Sequence, residues 1–495
     1  MSTFHVARPY SPRQLRARAE RRLRWLRRSA TAGTLTLAML HGAPDAAAQI
    51  ASDPAGGEFQ VNTFTANQQT NASVAMDADG DFVVAWQSSA GQDGSSFGVY
   101  AQRYAADGTP QGGEFLVNTR TTFDQDDPFV AMDADGDFVI VWTSSGQDAP
   151  TGGGIFAQRY DAAGVAQGSE FQVNTYTTST QNKPSVAMDA DGDFVIAWQS
   201  AGQDDPSAGF TPGIYAQRYD AAGVAQGSEF RVNTFTTGSQ SDPSVAMDAD
   251  GDFTVAWSGY GQDDPSAAFV SGVFAQRYAA DGTTQGGEFQ VNTFTTNSQV
   301  RPSVAMDADG DFVVAWTSGG QDDPLYSGIF AQRYNAAGVA QGSEFQVNTF
   351  VTGNQSGPSV GMDADGDFVV AWTSGSYFGA AQDGSYYGIY AQRYDAAGVA
   401  QGSEFLVNTV TTGGQFGPSV ATDDSGDFVV AWQSGGNQDG NSEGIFAQRY
   451  ADPTVFDYDA QTYVDNGALD FDRLATWPDA GPLGLDAPVR GSDAR

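Results

Sequence analysis

Three carboxylates within five residues recur along this 495-residue chain. In the motif M-D-A-D-G-D-F they fall at Asp77, Asp79 and Asp81, then at Asp133, Asp135, Asp137; Asp189, Asp191, Asp193; Asp248, Asp250, Asp252; Asp307, Asp309, Asp311; and Asp363, Asp365, Asp367. A seventh copy keeps Asp423 and Asp427 around Ser425. Clustered carboxylates offer oxygen ligands to a hard cation such as Ca²⁺. The same residues also suit a tight turn, because Asp accepts bonds from nearby backbone amides and Gly adopts positive φ. Both readings stay open on sequence alone.

A second motif, Q-D, preceded by Gly in five of seven copies, recurs at Gln92-Asp93 and at the pairs beginning with Gln147, Gln203, Gln262, Gln321, Gln382 and Gln438. Further glutamines, Gln69, Gln125, Gln181, Gln240, Gln299, Gln355 and Gln415, recur at one repeat position. Amides and carboxylates so arranged are expected to ring a channel mouth, or else to cap strand ends. Irregular aromatics accompany the G-Q-D segments: Phe97, Phe210, Tyr260, Phe269, Tyr326, Tyr377, Phe378, Tyr386 and Tyr387. Polar planar groups beside exposed rings suit an extracellular carbohydrate or protein surface. Gln92, Asp93 and these aromatics are therefore the candidate ligand-binding residues.

The absences narrow the chemistry. The chain has no Cys, both histidines (His5 and His41) precede residue 49, and Lys183 is its sole lysine. A Ser-His-Asp triad, a Cys-His pair and a His-ligated zinc are excluded from the remainder. A glycosidase needs two carboxylates about 5–10 Å apart in distinct environments. Here the carboxylates are near-equivalent, and beyond residue 48 only Glu443 among the glutamates stands outside the repeated position before the Phe. The reading is a non-catalytic protein, with a carboxylate-dependent polysaccharide-processing enzyme as the alternative.

Residues 1–48 read as a signal peptide: nine arginines between Arg8 and Arg28, a small apolar stretch over 30–40, and Ala46-Ala47-Ala48 as cleavage site. Twin-arginine and ordinary export both remain open. Beyond that segment 14 basic residues face 58 acidic ones. Nucleic acid is not expected as a partner of such a chain. No apolar run reaches the length of a membrane span, so no membrane insertion is expected. An exported monomer in the periplasm, at the cell surface or beyond it is expected.

The elements that position these motifs are repeats. F-x-V-N-T begins at Phe59, Phe115, Phe171, Phe230, Phe289, Phe345 and Phe405, and a Trp follows each Phe by 27 residues. Each A-Q-R-Y arginine except the last stands 12 residues before the next such Phe, whereas the Trp-to-Arg spacing runs 17, 17, 20, 20, 17, 21, 17. One loop per repeat varies on a constant scaffold. Within a repeat the signals are those of strands. Strands are expected at 73–78 and 81–87, joined by Asp79-Gly80 as a two-residue type I′ turn. That turn sets Met76 opposite Val83 and Val74 opposite Ala85. Third and fourth strands, more polar, are expected at 98–104 and 114–119.

Seven such units over 58–450 specify an all-β, seven-bladed propeller of four-stranded antiparallel blades. The chain starts on a lone fourth-strand motif, 58–63, and its last repeat stops after a third strand, so the N-terminal strand is expected to close the ring. Residues 49–57 form a linker and 451–495 an irregular tail. A buried Trp removes roughly 200 Å² from water, worth about 5 kcal/mol as an upper estimate. Seven of them can hold blades together without disulfides. The A-Q-R-Y arginines are expected to pair with acids between blades.

In its Asp-rich hairpins, repeated over residues 58–450, the chain resembles secreted bacterial propellers of the FG-GAP/VCBS and integrin-α kind. Those calcium loops run D-x-D-x-D-G, whereas here Gly80 stands between the second and third Asp. The hairpins are also loosely similar to the Asp-boxes of sialidases. The resemblance implies a calcium-stabilised adhesion or recognition module. A purely structural calcium-binding ring is the third reading.

Overall fold

Alternating apolar residues on both faces make the central hairpin of each repeat a layer that must be covered twice. In the first repeat it consists of an inner strand β2 (Gln69–Met76) and β3 (Phe82–Ser88), followed by β4 (Gly98–Tyr104) and β5 (Phe115–Leu116). The computed structural model describes residues 54–89, 91–148, 152–204, 211–262, 270–375, 382–384, 386–436 and 438–452. The expected signal segment, most of the linker and the tail beyond Asp452 lie outside them.

The described residues form seven four-stranded antiparallel sheets, ordered β2-β3-β4-β5 and equivalently in each blade. The first strands of neighbouring blades contact one another around the ring. The N-terminal strand β1 (Phe59–Gln60) pairs with the third strand of the seventh blade, Gly444–Tyr450, and so completes it. Closure follows the repeat's phase offset, and it leaves every third strand with an outer partner.

The hairpin register differs from expectation by one residue. Met76 lies opposite Phe82, Ala75 opposite Val83 and Val74 opposite Val84. The loop has three residues rather than two: Asp77 N–H donates to Asp81 O at 2.9 Å, and Gly80 alone takes positive φ (90°). A three-residue loop ending on a left-handed Gly is a bulged turn. It places Val74, Met76, Phe82, Val84 and Trp86 on one face, and Ala75, Val83 and Ala85 on the other.

That sorting builds the core. The large face of each blade packs on the small face of the blade before it: Val74, Phe82, Val84, Trp86 and Tyr104 meet Ala421, Val429, Ala431, Ile445 and Ala447. All seven motif tryptophans are fully buried. Tyr104 stacks on Phe82 at 4.9 Å and tilts against Phe59 of the closing strand at 5.4 Å.

Two further expectations are corrected. Third strands are buried except at their Arg and, in three blades, at their first residue (Pro212, Ser327, Tyr387), and most fourth strands shrink to two residues, as in Phe115–Leu116; those of the third and sixth blades run seven, Ala225–Arg231 and Ala400–Leu406. A short outer strand limits the unpaired edge. The A-Q-R-Y arginines mostly reach carbonyls instead of acids. Arg103 donates to Ala163 O (2.7 Å) and Ala162 O (2.5 Å) in the next blade, and Arg449 to Asp107 O (2.6 Å) across the closure. Arg393 is the exception, paired with Asp452 at 3.0 Å.

Candidate functional site

Each inner strand runs from the variable-loop rim, at Gln69, to the aspartate rim, at Met76. The M-D-A ends of six strands, with Thr422-Asp423-Asp424 of the seventh, line one cavity of about 210 Å³ on that second rim. Asp77 is 6% exposed there. Its Oδ1 accepts the N–H groups of Asp79 and Asp81, both at 2.9 Å, so the carboxylate ties down its own turn. The same pair of bonds recurs in the other six blades, with Ser425 donating in the last.

The third aspartate is also engaged. Asp81 Oδ1 accepts Ala106 N–H at 2.9 Å and its Oδ2 accepts the Gln111 amide at 3.0 Å. Asp79, between them, is exposed. Among the described residues no group of three or more carboxylates gathers around one point as a metal site would. Burial, then the carboxylate of Asp81, pushes Asp77 up to about 6; burial and Asp367 push Asp363 up to about 8.

On the opposite rim the regular polar residues are likewise committed. The Gln92 amide donates to Glu114, whose other oxygen accepts Thr63 N–H of the preceding blade at 2.6 Å. The same relay runs from Gln147 through Glu170 to Thr119, and across the closure from Gln438 through Glu58 to Thr409. Asp93 accepts Ser95 N–H at 2.9 Å, and a Cβ on Gly98 would lie 3.0 Å from its Oδ2. Gln69 and its six equivalents are completely buried, and Gln240 accepts the Trp257 indole N–H at 3.0 Å. The expected ring of glutamines at a channel mouth is thus an interior scaffold.

The aromatic candidates divide. Tyr386 is 56% exposed and Tyr260 38%, while Phe97, Tyr326 and Tyr387 are half-buried. Phe210, Phe269, Tyr377 and Phe378 lie outside the described residues. Leu325, in the fifth variable loop, is 83% exposed.

One set of residues escaped the sequence reading. Each inner strand carries a β-bulge two residues after its buried Gln, as between Thr70 and Ser73. Its left-handed residue is Asn71, Asp127, Lys183, Asp242 and Arg301 in blades one to five, and Gly357 and Gly417 in the last two. Most of the strand is near-constant between repeats, so these positions form a variable collar on a constant wall. A left-handed conformation costs a non-glycine residue about 1–2 kcal/mol. Neighbours on the collar touch: Asn71 donates to Asp127 at 3.0 Å, and Lys183 pairs with Asp242 at 2.5 Å. Burial, then Asp127 and Asp124, pushes the adjoining Asp126 up to about 7. Aligning the seven repeats column by column is the signal that exposes the collar.

Neither a protein-family model nor a curated protein sequence matches the chain. Solved structures similar to it include a protein of unknown function from Dyadobacter fermentans, at 13% identity over 79% of this chain and 97% of that one, with a TM-score of 0.45. Polysaccharide lyase Uly1 shares 11% identity over 81% and 94%, with a TM-score of 0.48. An α-L-arabinanase of Penicillium chrysogenum, complexed with arabinobiose, shares 10% over 79% and 98%, at 0.42.

Proposed function

We propose that this chain is an exported, non-catalytic binding module whose ligand face is the variable-loop rim. One observation supports the reading above the rest: the regular polar residues on both rims are engaged in holding blades and turns together, as in the Gln92–Glu114–Thr63 relay. The side chains left for recognition are the irregular ones, Tyr260, Leu325, Tyr386 and the bulge collar. A constant scaffold with unequal loops is how repeat folds vary recognition without altering stability. The partner is an extracellular carbohydrate or protein surface.

The test is affinity electrophoresis of the protein in gels cast with arabinan, xylan or pectin, beside Tyr260→Ala and Tyr386→Ala. Retardation by one polymer, reduced at least 5-fold in apparent affinity by either substitution, is expected. Unretarded migration in all three removes arabinan, xylan and pectin as partners. Release of reducing ends or unsaturated products from a retarding polymer replaces the module with the enzyme reading.

A further inference from the structure

Arg301 is a collar cation that no other group holds. Among the described residues its guanidinium has no hydrogen-bond or ion-pair partner, and only its backbone N–H is used, donating to Ser258 at 3.0 Å. The other collar cation, Lys183, is neutralised by Asp242. The A-Q-R-Y arginines are occupied by carbonyls or Asp452. Arg301 keeps a strained left-handed backbone (φ 55°) at a position where the next two blades have glycine.

What lies beside it is open. The collar continues with Gly357 and Gly417, and a Cβ at either would meet nothing within 4 Å. Next to Gly417, Phe416 and Tyr387 have ring centroids 5.0 Å apart, and Tyr386, at the end of the sixth-blade variable loop just before Tyr387, stands exposed. That sixth-blade loop has the longest Trp-to-Arg spacing of the seven. An unpaired cation, two side-chain-free positions and an aromatic cluster therefore fall on three consecutive blades, five to seven.

Resting on the binding-module reading, we infer that this sector binds a glycan through a uronic acid residue. Arg301 holds the sugar carboxylate, Gly357 and Gly417 admit the ring close to the backbone, and the aromatic cluster stacks on its C–H face. A guanidinium fork matches a planar carboxylate with two parallel bonds. Stacking of rings against aromatic side chains suits a flat, amphipathic body such as a pyranose.

The test is calorimetric titration of the full chain with tetramers of galacturonate, glucuronate and guluronate, the methyl ester of whichever binds, and neutral arabinotetraose. One uronate is expected to bind, its methyl ester at least 10-fold more weakly. Arg301→Gly should weaken the uronate at least 10-fold without lowering Tm, because glycine already occupies this position in two blades. Arg301→Lys should recover only part of the loss, since it restores charge without the fork. Equal affinity for acid and ester, or wild-type affinity in Arg301→Gly, overturns the carboxylate assignment. Failure of all three uronates overturns the proposal; binding of arabinotetraose that Tyr386→Ala weakens would still leave the binding module standing.

Discussion

Burial sets the protonation of the inner aspartates. Asp363 is pushed up to about 8, and Asp133, Asp189, Asp307 and Asp423 to about 7, against an ordinary 3.8. The unfolded chain ionises these groups near 3.8, so between there and pH 8 the folded state binds more protons. The stability they contribute is fully present below about pH 4 and is lost as pH rises through 6 to 8. Calorimetry at fixed ionic strength should therefore show Tm falling from pH 5 to pH 8.5; a Tm that rises with pH would contradict it. Asp363→Asn keeps the Oδ1 that accepts Asp365 and Asp367 N–H but cannot ionise. Its Tm at pH 8.5 should equal or exceed that of the parent, with a shallower slope. Sequence alone left these residues divided between turn and ion site. What decides their hydrogen bonding is a backbone loop one residue longer than the D-G pair suggests, and a pattern of letters does not carry loop length.

Elements were legible where the information is local and repeated. Strand identity, blade number and closure by β1 all follow from Phe59, Trp86 and the phase of F-x-V-N-T. The register was not, because a bulged three-residue loop and a two-residue turn share the Asp79-Gly80 signature. The blade-to-blade contacts were not either: Gln92, Glu114 and Thr63 are distant in sequence, and nothing in their types says that they join. The arginine staple shows how tightly these contacts fit. A Cβ on Gly164, at φ 78°, would stand 2.9 Å from Arg103 Cδ of the preceding blade. Gly164→Ala combines backbone strain with displacement of that staple, and should cost about 1–3 kcal/mol. Gly168→Ala has a similar φ (77°) and open space around it, so it isolates the strain. Urea melts giving equal losses for the two variants would remove the staple from the energetics.

At the scale of the whole molecule, seven near-equal blades carry a net charge of −37, and self-repulsion of that size weakens any compact state. Calcium can relieve it in two ways, by screening like any cation or by filling sites that exist only in the folded ring. The geometry separates them. Asp77 Oδ1 is occupied by two backbone amides, as is its equivalent in every blade, and Asp81 by Ala106 and Gln111, so the first and third carboxylates of this turn already have protein donors. An ion ligated by the first carboxylate's Oδ1 would have to displace its two amide bonds in each blade. Millimolar CaCl₂ should therefore raise Tm no more than MgCl₂ at the same ionic strength, and chelator should act only through that ionic strength. A saturable shift seen with calcium alone, growing with the logarithm of its concentration, would show preferential binding to the folded ring. The D-A-D-G-D turns would then be ion sites, with the hydrogen bonds of Asp77 as the calcium-free arrangement.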